Sequence, residues 1–217
     1  MEKDKKFFHG RMLPQYFSSH GYVTWGVGKI AHGYSDTKLF DSYGSKFAGS
    51  GPKPPNGKRF NYFLPDVPWT GTQTDWGAFP ERDEDMTDHK VADWAVEKLG
   101  RTSEKPFFLG TGFVRPHVPF YVPQKWFDLF PLEDIKLPPV RTDDLLDVPE
   151  TSRRMHELPK YPKLAFLQDN DGEQFRKCVR AYLACIAFVD HQVGRVLDAL
   201  DQGPHAENTV VILFSDH

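Results

Sequence analysis

An α/β fold, with a mainly parallel sheet flanked by helices, is what this sequence predicts. Three segments share one grammar: a helix-period stretch, a breaker, then a short apolar run of strand character. Each apolar run is followed closely by ionisable or imidazole side chains, where open parallel sheets place their ligand sites.

In the first segment Leu13, Tyr16, Phe17 and His20 share one helical face and Gly21 supplies the stop, after which residues 22–27 read as a strand. In the second, Thr87 or Asp88 can cap a helix that turns Val91, Ala92, Ala95 and Leu99 inward and ends at Gly100, ahead of a strand around Phe107-Phe108-Leu109. In the third, Phe175, Val179, Tyr182, Ile186, Val189, Val193, Val196 and Leu200 form a long helical stripe. Residues 209–214 then read as a buried parallel strand. The intervening residues 33–80 and 118–168 hold most of the 18 prolines and are expected to form long excursions. No repeat, low-complexity tract or linker marks a second domain, so residues 1–217 are expected to be part of one domain. No helix follows the last predicted strand to cover the sheet, and the domain is expected to be truncated there.

Composition narrows the function. A hydrophobic content of 39% over 217 residues is enough for a core, while 27 basic and 30 acidic side chains leave a formal charge of -3. Without a basic block the electrostatic footprint of a nucleic-acid binder is missing, which favours a small substrate. No apolar run is long enough to span a membrane, and the first eight residues contain no secretory apolar core. Cys178 and Cys185 lie on one predicted helix, about 10 Å apart along its axis, too far to bond each other.

The strand ends carry the chemistry: Gly28-Lys29-Ile30-Ala31-His32, Phe113-Val114-Arg115-Pro116-His117 and Ser215-Asp216-His217. Together they offer two cations, several imidazoles and a carboxylate, and Gly28 permits close backbone approach beside Lys29. Singly, each has an ordinary structural reading as a surface lysine or a hydrogen-bonded histidine. The repeated placement after strands is the signal for a shared site.

These residues also carry a resemblance. Leu13-Pro14-Gln15-Tyr16-Phe17 through Gly21-Tyr22, then Gly28-Lys29-Ile30-Ala31-His32-Gly33, resembles the sulfatase segment that follows the nucleophile motif. Lys105 to Leu109, Arg115 to Phe120 and Pro123 to Phe127 resemble the second block of the iduronate-2-sulfatase branch. Tyr182, Val189-Asp190, Gln192 to Arg195 and Ser215-Asp216-His217 resemble its third. The resemblance implies an alkaline-phosphatase-like fold that hydrolyses sulfate esters of small, possibly carbohydrate, substrates, with a formylglycine nucleophile and one calcium ion. It implies that Lys29 contacts the sulfate, that His32 assists the formylglycine hydrate, and that His117 binds sulfate and protonates the leaving oxygen. Asp216 and His217 match the branch's calcium pair, although an imidazole is an unusual ligand for an oxygen-preferring ion. A periplasmic or extracellular location is likewise implied.

The departures are specific. The Cys/Ser-x-Pro-Ser-Arg nucleophile motif is absent from these residues, since Cys178 precedes Val179-Arg180 and Cys185 precedes Ile186-Ala187. Both cysteines read as small buried hydrophobes. The nucleophile, the paired aspartates of the first family strand and a later lysine are expected beyond both ends of the chain, which alone is expected to be inactive. The rival readings are a phosphate or phosphonate ester hydrolase of the same superfamily and a noncatalytic binding remnant. Elsewhere, Asp83-Glu84-Asp85 reads as a solvated helix entry. Trp69 and Trp76 read as sugar-stacking residues or loop anchors. His89 and His191 read as solvent-facing or locally packed.

Overall fold

The structure, a computed structural model, describes residues 12–30, 39–44, 51–62, 74–141, 143–156 and 162–215. In chain order its elements are α1 (Leu13–Ser19), β1 (Val23–Gly28), β2 (Ser42–Tyr43), β3 (Trp76–Ala78), α2 (Thr87–Leu99), β4 (Phe107–Gly112), β5 (Phe120–Val122), α3 (Gln124–Phe127), α4 (Glu150–His156) and α5 (Leu164–Asp201). The chain divides into two compact units, one of Met1–Ala48, Asp88–Phe113 and His191–His217, the other of Gly49–Thr87 and Val114–Asp190.

The first unit holds a three-stranded sheet in the order β2-β1-β4, parallel throughout. Register runs from Val23 opposite Phe107 to Gly28 opposite Gly112. Thr24 donates its N–H and hydroxyl to the Asp41 carboxylate at 2.8 and 3.0 Å, and Thr24 Oγ1 accepts from the Asp41 N–H at 3.0 Å. This exchange pins the approach to β2. Helix α1 docks through Phe17, which stacks on Phe108 with centroids 4.7 Å apart, and Trp25 stacks on Phe107 at 5.2 Å. Helix α2 buries the expected Val91, Ala92, Ala95 and Leu99; Val91 and Ala95 join Val27 in a core against which Leu109, Phe113 and Val196 pack.

The second unit contains a parallel pair that lacked a periodic signal in the sequence, β3 with β5, matching Trp76 with Phe120 and Ala78 with Val122. Its core joins Tyr62, Trp76, Met86, Val122 and Phe127 to Ala181, Ala184, Cys185 and Phe188 of α5. Trp76 is buried and stacked on Tyr62, so it anchors a loop and does not present a face to a sugar. Trp69 lies outside the described residues. Asp83 is also buried, accepting from Trp126 Nε1 at 2.8 Å and pairing with Lys125 Nζ at 2.7 Å, whereas Glu84 and Asp85 are exposed as expected.

Two further sequence expectations fail here. The predicted stripe on α5 places Tyr182 and Ile186 inward, yet they are 43% and 38% exposed. The helix is apolar on more than one face. The smaller Ala181, Ala184 and Cys185 form the buried face with Phe188, and Tyr182 reaches Phe120 edge-on at 5.5 Å. Residues 209–214 form no strand: Val210, Ile212 and Phe214 are 87%, 79% and 81% exposed, and none pairs with the described sheets. β-branched composition favours a pleated surface only where a partner supplies ladder hydrogen bonds, and the β2-β1-β4 ladder does not include this segment.

Candidate active site

Parallel pairing brings the carboxyl ends of β1 and β4 to one edge, and Lys29 is the first residue beyond it. The Lys29 N–H donates to the Gly112 carbonyl at 2.8 Å, extending the ladder by one rung. Gly28 has φ +80, and a Cβ there would lie 2.1 Å from the Gly112 carbonyl oxygen. Its own carbonyl accepts from the Tyr43 hydroxyl at 2.5 Å, and burial raises the phenol's pKa, which keeps that donor protonated. The peptide that carries Lys29 is therefore fixed from both sides, and the Lys29 side chain is half-buried. Gly28→Ala is expected to cost about 3 kcal/mol, combining left-handed backbone strain with overpacking, and to lower the urea unfolding midpoint correspondingly. An unchanged midpoint would show that the strands can separate there without loss.

His117 belongs to the second unit. Its N–H donates to the Val114 carbonyl at 2.9 Å, closing a turn, and its Nδ1 lies 2.7 Å from the Val118 carbonyl oxygen. A carbonyl can only accept, so this hydrogen bond places the proton on Nδ1 and leaves Nε2 for exchange with a ligand. Arg115, read from sequence as a second site cation, is 4% exposed. It donates from Nε to the Tyr121 carbonyl and from Nη1 to the His117 carbonyl, both at 3.0 Å.

Behind this loop lies Asp75, which carried no recognised sequence signal. Fully buried, it accepts from the backbone N–H groups of Phe60, Asn61 and Tyr62 at 2.9, 2.9 and 2.8 Å, and from the Tyr121 hydroxyl. Burial, then the Asp75 hydrogen bond and charge, push the Tyr121 phenol far above its ordinary range. The one available hint was a lone carboxylate between Thr74 and Trp76 in an aromatic stretch poor in charge. A groove of about 820 Å³ elsewhere in this unit, walled by Pro54, Phe60 and Phe79 with Lys58 and Gln124, does not include His117.

His32, Asp216 and His217 lie outside the described residues. Among the described residues no group of three or more His, Cys, Asp or Glu forms a metal site, and no helix is long and apolar enough to cross a membrane. His89 packs locally, its Nδ1 3.2 Å from Arg195 Nη1 and its Nε2 3.5 Å from Asp93, while His191 is exposed. Neither cysteine is in a disulfide; Cys185 is buried, and burial first, then the Asp75 charge, raise the Cys178 thiol to about 12. Iodoacetamide at pH 8 is expected to leave both unmodified in the folded protein and to label both in urea. Rapid labelling of folded Cys178 would contradict its assignment as an inert packing residue.

The sulfatase family model matches residues 4–217. A sulfatase of Formosa agariphila is 46% identical over 209 residues, covering 94% of this chain and 41% of its own length. Human iduronate 2-sulfatase is 32% identical over 234 residues, with 94% of this chain and 40% of the relative covered. The chain thus spans about two fifths of the length of these relatives. A solved structure described as a 2-O GAG sulfatase superposes with a TM-score of 0.51 at 17% identity, covering 91% of this chain and 38% of that one, a likeness of fold.

Proposed function

Since this chain belongs to the sulfatase family, we propose that the intact protein is a sulfuric ester hydrolase whose small substrate is a sulfated sugar. The iduronate-2-sulfatase branch is the specificity we favour, on the identity with the human relative. The observation that carries the reading is the His117 imidazole, held by Nδ1 on the Val118 carbonyl with Nε2 left for a proton transfer. In this reading the imidazole acts from its imidazolium form: Nδ1–H stays on the Val118 carbonyl while Nε2 gives its proton to the ester oxygen as the S–O bond breaks, so that the sugar departs as an alcohol and the Nδ1–H tautomer is left behind. Lys29, fixed at the strand edge, offsets the negative charge of the sulfate oxygens. His32 moves a proton for the hydrated nucleophile.

A formylglycine supplies the attacking hydroxyl, and a calcium ion neutralises oxygen charge, where these groups are present. No nucleophile motif occurs in these 217 residues, so we propose that they do not turn over alone. Asp216 offers the kind of oxygen donor calcium prefers; His217, a nitrogen donor, fits that ion less well. Calcium usually takes six to eight oxygen ligands, so other residues must complete the set. A periplasmic or extracellular location is part of this reading.

The test is a comparison of 4-nitrophenyl sulfate with 4-nitrophenyl phosphate on the intact protein. A kcat/KM higher for the sulfate is expected; preference for the phosphate would move the protein to the phosphoesterases of the superfamily, and no turnover of either would favour a binding role.

A further inference from the structure

We infer that Arg115 is a positioning residue that sets which nitrogen His117 presents to the substrate. The inference rests on the catalytic reading of His117, but its geometry is independent of that reading. Arg115 stands two residues before His117, yet its side chain turns into the protein and is 4% exposed. Two of its N–H groups diverge onto two carbonyls, Nε to Tyr121 and Nη1 to His117, each at 3.0 Å. These carbonyls bracket the segment from His117 to Tyr121, and Val118 within it supplies the oxygen that holds His117 Nδ1 at 2.7 Å.

The chain of dependence is short. The guanidinium fork fixes the two ends of the segment, the segment fixes the Val118 carbonyl, and that carbonyl fixes the imidazole tautomer and ring plane. Three further features hold the fork in place. Gly51 approaches so closely that a Cβ there would lie 2.8 Å from Nη2. Tyr121, whose carbonyl accepts from Nε, is buried and anchored through its hydroxyl to Asp75. The Phe120 N–H donates to the Asp75 carbonyl at 2.8 Å, joining the far end of the segment to β3. A guanidinium buried this deeply, with Nε and Nη1 on backbone carbonyls, serves the loop first. A lysine, as a single point charge, cannot reproduce two fixed divergent bonds from a planar fork.

Arg115→Ala and Arg115→Lys in the intact protein test this with two readouts. The first is the 15N NMR signature of the His117 ring, which reports the protonated nitrogen directly. The wild type is expected to show the Nδ1–H tautomer, Arg115→Ala a mixture, and Arg115→Lys an intermediate state. The second is kcat on an alkyl sulfate, expressed per folded molecule: a 10- to 100-fold loss in Arg115→Ala with KM changed less than threefold, partly restored in Arg115→Lys. A pure Nδ1–H tautomer with undiminished kcat in folded Arg115→Ala would overturn the inference. A loss that appears in KM alone would also overturn it, because it would make Arg115 a substrate ligand. If Arg115→Ala fails to fold, Arg115→Lys alone decides, since an unchanged tautomer and kcat there would remove the need for the fork. His117→Ala separates this inference from the catalytic reading: full activity in that variant would sink the role of His117 while leaving the tautomer measurement as the test of Arg115.

Discussion

On the general-acid role proposed for it, replacing His117 with Ala in the intact protein is expected to slow hydrolysis of alkyl sulfates by about 100- to 10,000-fold, the usual contribution of a general acid. Nitrophenyl sulfate should lose far less. The difference follows from the leaving group, because a sugar alkoxide is too basic to depart without a proton, whereas nitrophenolate leaves unaided. The position of Nδ1 on the Val118 carbonyl makes the expectation specific, since Nε2 is then the nitrogen from which the imidazolium can give up its proton. The readout is the ratio of mutant effects on kcat/KM for the two ester classes, with folding and metal content checked in parallel. A ratio near one would reassign His117 to sulfate binding, which both substrates share.

Asp75→Ala should cost about 3–5 kcal/mol, because it strips a buried anion from its partners and leaves backbone N–H groups of Phe60, Asn61 and Tyr62 without their acceptor. Urea unfolding measures this, and a loss below about 1 kcal/mol would mean that water or a shifted neighbour replaces the carboxylate. Tyr121→Phe removes only the phenol bond and should cost about 1.5–3 kcal/mol. The pH dependence has a definite sign. The folded Tyr121 phenol titrates far above its unfolded value near 10. Its contribution is therefore fully present below about pH 10 and is lost as pH rises beyond that value. Wild-type stability should fall above that pH more steeply than that of Tyr121→Phe, whereas parallel curves would contradict the shift.

How far the sequence could be read depended on whether a feature was local. The first two helix-to-strand units follow from periodicity and a glycine stop, and α1, β1, α2 and β4 occur where that pattern puts them. The placement of Lys29 after β1 was legible for the same reason, and the close approach at Gly28 is to the Gly112 carbonyl of the neighbouring strand. Long-range partners were not legible. The β3–β5 pair joins residues more than 40 positions apart, and its short strands are too brief for alternation to register. Asp75 acquires its role from Tyr121, distant in sequence, and from the three N–H groups at residues 60–62. Arg115 was misread because sequence gives the charge of a side chain but not its direction, and here the fork turns inward to two carbonyls. On α5 the longer apolar stripe looked stronger, yet close packing selected the smaller side chains. At residues 209–214 apolar content marked a strand for which the described sheets provide no partner.

The roles proposed for Lys29 and His117 in sulfate ester hydrolysis are tested most directly by a double-mutant cycle on kcat/KM for an alkyl sulfate. Lys29→Ala, His117→Ala and the double variant would be compared in the intact protein, each corrected for its folded fraction. Groups that stabilise one transition state are coupled, so the double variant is expected to lose far less than the product of the two single losses. Two large single losses that multiply in full, or a single variant that retains wild-type kcat/KM, would contradict a shared catalytic role.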